Sequence, residues 1–551
     1  MVQGSIVTAQ PMKKTSKIML LRIVCICMIG AVASSPARAE EIVGESPHFV
    51  TSAQCIACHS RLLTPSGDDV SIGFDWRATM MANSARDPYW HAAVRREVMD
   101  HPAAQAAIED KCSTCHMPMA RFDTVAAGGR GGVFANLPAA APGHALAADG
   151  VSCTVCHQIA AEGLGEHASF DGGFTIAVSA ERPIFGPHDV DAGRQSVMRS
   201  AARFTPSAST HLQQSELCAT CHTLYTNALD AAGAVIGTLP EQVPYQEWLH
   251  SEYRTTQSCQ SCHMPEVAAE VAISSVLGQP RPRVSQHTFR GGNSFMLGIL
   301  NKYRGELGVT ALSQELDAAI RETKDYLGSQ TAAVAITSTE RVGSTLEFDV
   351  AVTSAAGHKL PTAYPSRRVW LHVLVSDGAG AVLFESGALQ ADGAIVGNDN
   401  DADAAAFEPH YDEIRSAAQV QIYESIMADQ RGEVTTGLLH GVRYIKDNRL
   451  LPLGFDKATA AADVAVQGTA ATDANFAAGG DRVRYRLDLG AAPRGELRIA
   501  AELLYQTIGY RWAANLRGYE AAETQRFARY YADSAADSAV PLARATATNA
   551  R

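Results

Sequence analysis

Read for its apolar positions alone, the chain changes rhythm several times. An eleven-residue apolar run, IVCICMIGAVA, follows the basic stretch MKKTSKIMLLR and precedes the small-residue sequence ARA ending at Ala39. Basic, apolar and small-residue parts in that order predict a secretory signal over residues 1–39, and the run falls short of the roughly 20 residues that span a bilayer. Residues 40–304 predict short helices joined by long loops, with Gly- and Pro-rich connections such as AAGGRGGVFANLPAAAPGH. Helical spacing is sustained in ELGVTALSQELDAAIRETKDYLGS, a single connecting helix over residues 305–329. The period then becomes two. Leu346, Phe348, Val350 and Val352 alternate in one segment, Val483, Tyr485, Leu487 and Leu489 in another, and ELRIAAELLYQ keeps the same rhythm. In VWLHVLVSDGAGAVLFESG two apolar runs flank a Gly-rich turn, a hairpin signal. The expected fold class is therefore α+β and multidomain, with a mostly helical or irregular region at 40–304 and a β-sandwich-like domain at 330–521. A tail at 522–551 is expected to begin helical and end disordered.

Charge and cysteine usage narrow the chemistry. The signal segment holds five Lys or Arg and no acid, so its removal leaves 41 basic against 58 acidic side chains, a net charge of −17 with histidine neutral. Such a surface argues against nucleic acid and anionic lipid, and favours cationic or metal-bearing partners. No stretch after the signal is long and apolar enough to cross a membrane, so the mature chain is expected in the periplasm or outside the cell. Of 12 cysteines, Cys25 and Cys27 leave with the signal. The other ten fall in five repeats of one pattern: CIACH, CSTCH, CTVCH, CATCH and CQSCH. They are Cys55 and Cys58, Cys112 and Cys115, Cys153 and Cys156, Cys218 and Cys221, and Cys259 and Cys262. No cysteine remains for structural disulfides.

In CxxCH the two cysteines stand about one helical turn apart, so both sulfurs can add to the vinyl groups of one porphyrin. The following histidine then lies beneath the ring as the proximal axial ligand of the iron. Zinc ribbons need no histidine directly after each second cysteine, whereas all five pairs here have one. The pattern predicts five covalently attached c-type haems with His59, His116, His157, His222 and His263 as proximal ligands. Roughly 40 to 65 residues per haem are too few for an independent apolar core, so the macrocycles themselves must fill the interior, close enough to pass electrons along.

Function turns on the other axial position, because an iron with two strong ligands carries electrons and an open one can bind a substrate. His211, His287 and His358 are the leading distal candidates. Met81 ranks below them, with Met80 and Met198, and His91, His144, His188, His250 and His410 are weaker still. In the β-region, Asp399, Asp401 and Asp403 alternate near Glu408 and Asp412 in a loosely calcium-like loop. Its spacing misses the EF-hand pattern, and a solvated acidic loop is the favoured reading over calcium.

The strings KCSTCHMP, GVSCTVCHQI, SELCATCHTLYT and CQSCHMP resemble bacterial multihaem c-type cytochromes of the cytochrome c-554-like superfamily. GHKLPTAYPSRRVWLHV and YIKDNRLLPLGFD resemble the C-terminal β-rich region of its larger members. The resemblance implies an exported electron carrier whose partners are other redox proteins or an extracellular acceptor, and it supports His211, His287 and His358 as ligands. Smaller tetrahaem members lack the β-domain, so their haem pairing does not transfer. The alternative expectation is a multihaem oxidoreductase acting on a small nitrogen or sulfur compound at an open haem iron. Pentahaem nitrite reductases typically place lysine where the motif histidine stands, and no CxxCK occurs here. A third reading has the β-domain dock the cytochrome onto a partner while the haems conduct.

Overall fold

The period-two segments form the strands they predict. In the computed structural model, which describes residues 45–490 and 495–549, the longer C-terminal strands are β1 (Ala332–Val342), β2 (Thr345–Ser354), β3 (Arg368–Asp377), β4 (Val382–Ser386), β5 (Gly480–Asp488), β6 (Leu497–Gln506) and β7 (Ala539–Asn549). The expected signal segment lies outside the described residues. One sheet runs β4-β3-β6-β7, with Ile422–Tyr423 added on β3; the other runs Glu413–Ile414, β5, β2, β1. Neighbours are antiparallel except Glu413–Ile414, which lies parallel to β5. Alternation does the work: Val483, Tyr485 and Leu487 of β5 point inward while Arg482, Arg484 and Arg486 face solvent. Phe348 of β2 is paired with Tyr485, their rings stacked at 4.9 Å and 4°. Val373 and Val375 of β3 and Ile499 and Leu503 of β6 enter the same core from the opposite sheet. Each fully buried side chain of this size contributes about 1.5–3 kcal/mol, so the sandwich is stabilised by its own residues.

Two expectations need correction. The connecting helix is interrupted: a one-turn helix, Arg304–Leu307, stops at Gly308 in the left-handed conformation (φ 63°), and the long helix is Ser313–Gln330. The tail does begin helical, as Ala522–Ala532, but residues 539–549 are ordered as β7. β7 pairs along all of β6, from Gln506 opposite Ala539 to Leu497 opposite Asn549, and so satisfies an edge that would otherwise expose its backbone groups.

The cysteine-bearing region and the sandwich are not separate beads. Val243 and Leu327 join the sandwich core. Phe527 of the C-terminal helix packs on Tyr89 at 5.1 Å, and Arg95 pairs in bidentate fashion with Glu523. The described residues accordingly belong to one compact unit. Within it, the helices before residue 304 are short and their apolar clusters small, such as Phe49, Met119, Val155, Ile159 and Ile176. Among the described residues no helix is long and apolar enough to cross a membrane.

Candidate haem-binding cavity

Where the sandwich fills its interior with side chains, the N-terminal region, together with the long helix and parts of the β-region, lines a cavity of about 1590 Å³. That exceeds an ordinary small-molecule pocket of roughly 300–1,000 Å³. Its wall carries all five motif histidines and all ten motif cysteines.

Local structure aims these groups. Each motif closes one helical turn: the amide N–H of His59 donates to Cys55 (2.9 Å), that of His157 to Cys153 (3.0 Å) and that of His222 to Cys218 (2.9 Å), while Gln105–His116 and Cys259–His263 are helical through their motifs. Four motif histidines then give Nδ1–H to a main-chain carbonyl: His59 to Ile273 (2.6 Å), His116 to Ser84 (3.1 Å), His157 to Phe185 (2.6 Å) and His263 to Arg290. This fixes the tautomer and leaves Nε2 with its lone pair. Burial pushes all five imidazoles below their ordinary pKa, His116 and His222 to about 4, so they stand neutral and able to bind a metal. Asp87 caps the helix Pro88–Asp100 through the amides of Tyr89 and Trp90, and Trp90 lies flat against His116 at 4.3 Å and 2°.

Opposite two of the motif histidines stand second imidazoles. His157 and His287 have ring centroids 6.3 Å apart and planes 15° apart; His263 and His358 have 6.2 Å and 13°. With roughly 2 Å from each imidazole nitrogen to a metal, two rings trans on one ion have centroids about 6 Å apart. His287 and His358 also give Nδ1 to carbonyls, of Ser285 (3.1 Å) and Lys359 (2.9 Å), so both again present Nε2. Burial holds both neutral, His287 at about 3. The donor set thus fits haem c with proximal and distal imidazoles.

The β-region supplies and braces His358. Lys359, fully buried, pairs with Asp447 at 2.7 Å, Arg449 chelates the same carboxylate, and Arg449 also pairs with Glu247 at 2.8 Å. Glu247, on the helix Pro244–Leu249 of the cysteine-bearing region, accepts from the Lys359 amide (3.1 Å) and from the Thr362 hydroxyl. Burial would raise the Asp447 carboxyl, but Arg449 and Lys359 overcome it and hold the group well below the carboxylate range.

Other candidates fare differently. His211 is buried with both nitrogens engaged, Nδ1 with Ser209 (2.6 Å) and Nε2 with the Ile159 carbonyl (2.8 Å), so it offers iron no lone pair. His91 is committed to Ala85 and Arg526, and His250 to Gln246 and Ala461. His144 bonds Asn136 and is not on the cavity wall. His188, Met80, Met81 and Met198 do line the wall. The acidic loop does not converge: Asp401 is chelated by Arg368 at 2.8 and 2.9 Å, and Asp412 accepts from Asn475.

One cluster escaped sequence reasoning because its members are far apart in the chain: His410, Asp473 and Asp481 share a buried corner. Its hydrogen bonds decide its character. The Gln421 carbonyl accepts from the Tyr411 amide and the Asn448 carbonyl from the Glu424 amide, so both NH₂ groups face His410 Nδ1, at 2.8 and 3.1 Å. Nδ1 must accept, Nε2 carries the proton, and it donates to Asp473 at 3.1 Å. This is a closed hydrogen-bond network with no lone pair directed at a cation.

The contacts between motifs are equally specific. Cys55 lies beside Cys153, Cys115 beside Cys221 and Cys218 beside Cys259, close enough for each thiol to influence its neighbour. Cys156 lies within electrostatic reach of Cys218 and Cys221. Numbered by motif, site one therefore adjoins three, three adjoins four, and four also adjoins two and five.

Mixed helix and strand, helical before residue 304 and β-rich beyond, this is a multihaem-cytochrome-like fold. Among solved structures the chain is similar to a penta-haem cytochrome c552 from Thermochromatium tepidum, with TM-score 0.52 and 16% identity over 92% of this chain and 100% of that one. At that identity the likeness speaks for the fold alone. No family model and no curated protein matches the sequence.

Proposed function

We propose that the protein is an exported pentahaem c-type cytochrome of the cytochrome c-554-like superfamily that transfers electrons between redox partners. The observation that carries this reading is the convergence of all five CxxCH turns on one cavity wall, with thiols of sites one and three, two and four, and four and five side by side. Each cysteine pair would hold one haem by thioethers, and the motif histidine would present Nε2 to its iron. Bound haem supplies one-electron redox chemistry at each site. The chain orients the rings through the Nδ1 anchors and excludes water by burying the imidazoles. His287 and His358 would be the second histidines holding the haem at sites three and five, and sites held by two imidazoles suit conduction rather than catalysis.

The contact order gives a branched path, one to three to four, with two and five as arms from four. Residues 40–304 form the conducting region, and residues 330–521 brace it through His358 and the Lys359 network. The partners are other redox proteins or an extracellular acceptor, and the acidic mature surface favours basic ones. The test is a potentiometric titration of the purified exported protein: five electrons taken up per chain support the reading, and fewer contradict it. One observation favours a further role in catalysis, since no second imidazole faces His59, His116 or His222 at metal-bridging separation among the described residues.

A further inference from the structure

Site two differs from the other four in what lies against its motif histidine. Trp90 stacks on His116 with ring centroids 4.3 Å apart and planes 2° apart, and among the described residues no other motif histidine has an aromatic ring nearer than 6.2 Å. At 6.2 Å, His263 and His358 leave room for an ion between them. At 4.3 Å nothing fits, so the indole covers the face of the imidazole while Nε2, in the ring plane, stays free.

The surroundings build this contact. Ser84 holds His116 twice, taking Nδ1–H on its carbonyl (3.1 Å) and giving its hydroxyl to the His116 carbonyl (3.0 Å). Three residues on, Asp87 opens the helix Pro88–Asp100 by accepting from the amides of Tyr89 (2.8 Å) and Trp90 (3.3 Å), and Pro88 presets its first turn. His91 ties that turn back by giving Nε2–H to the Ala85 carbonyl (2.9 Å), its Nδ1 being taken by Arg526. The loop that fixes the imidazole is thus the loop that launches the helix carrying the indole. Trp90 is buried in one cluster with Val94, Val98, Ile108 and Leu439, so packing holds the indole as well.

We infer that Trp90 is a positioning residue of site two, holding the plane of the His116 imidazole and lowering the potential of the haem bound there. An imidazole on an oxidised iron gains positive character, and the face of an indole attracts positive charge more than any other aromatic face. The oxidised state of site two is therefore favoured by a contact that sites one, three, four and five lack. An electron on site two is by that much readier to move to site four, which adjoins it. The inference rests on the haem reading above and deepens it.

The test uses the purified holoprotein, its haems counted first by intact mass. Fewer than five in the wild type contradicts the haem reading itself, whereas the other outcomes concern Trp90 in a protein that carries all five. Spectroelectrochemical titration of W90L should show one midpoint potential raised and four unchanged. At a fixed potential the oxidised-to-reduced ratio of that haem should fall about threefold, roughly 30 mV at 59 mV per tenfold. W90F, which keeps a weaker aromatic face, should restore most of the wild-type potential. In low-temperature electron paramagnetic resonance of the oxidised protein, the signal of one haem should broaden in W90L and sharpen again in W90F. Five unchanged potentials in W90L, or a fall in place of the rise, overturn the inference. Equal shifts in W90L and W90F also overturn it, because the indole would then act by packing alone. Should W90L retain fewer than five haems, W90F decides: a rise at one haem supports the inference, and no rise overturns it.

Discussion

The two halves of this molecule solve the same problem with different materials. From β1 onward, alternating apolar residues close a core that is stabilised without help, with Phe348, Tyr485, Val373 and Leu503 fully buried. Before residue 304 the chain forms most of the wall of a cavity of about 1590 Å³, lined by cysteine, histidine and scattered apolar side chains and completed by the long helix and by His358 and its neighbours from the β-region. One half carries its core in its own side chains; the other leaves a space that the proposed haems would fill. Folding of the second would then be coupled to cofactor attachment, as in small metal-dependent domains.

Removing the cofactor should break that comparison most severely. Produced without haem attachment, the chain should lose residues 45–304 to limited proteolysis while a fragment starting near residue 313 and reaching 549 persists, as mass spectrometry of the digest will read. Equal loss of both halves would mean the sandwich also depends on the filled cavity. A large but opposite effect is expected from F348A: about 3–5 kcal/mol lost from the sandwich in denaturant titration, with the haem absorption bands unchanged in the native baseline.

The bridge between the halves can be cut separately. K359M leaves the buried Asp447 carboxylate with one partner fewer, which should cost about 3–5 kcal/mol. The same variant should let His358 swing away, turning one low-spin haem high-spin. H287A should do the same at site three without the stability loss.

A smaller effect is expected from pH. Burial raises the Glu241 carboxyl to about 7, against a hydrogen bond from Thr226 that lowers it, and this group acts on Cys112 of site two. Because the folded pKa lies above the unfolded one near 4.3, the neutral form belongs to the fold, and stability declines as pH rises from about 4 to about 7. Ionisation also places a negative charge beside site two, so its potential should fall by on the order of tens of millivolts as pH rises through 7, and E241Q should flatten that slope.

How much of this was legible depends on the range over which each signal acts. The CxxCH turns are local chemistry and read directly, and so did the strands whose inward faces are Leu346 to Val352 and Val483 to Leu487. β7 was missed because AVPLARATATN is a half-exposed edge strand held by pairing to β6, with little apolar rhythm of its own. His211 misled because closeness to the CATCH motif in the chain says nothing about where a ring points; its nitrogens are spent on Ser209 and Ile159. His358 opens no local pattern that would explain its position: the reason it faces His263 lies in Glu247, Asp447 and Arg449, far away in the chain.

The central claim is that the missing core of the N-terminal half is haem bound through ten sulfurs. Intact mass spectrometry of the exported protein under denaturing conditions tests it most directly. The account predicts a mass equal to the processed polypeptide plus five haems; bare polypeptide, or haem that separates on denaturation, would contradict it.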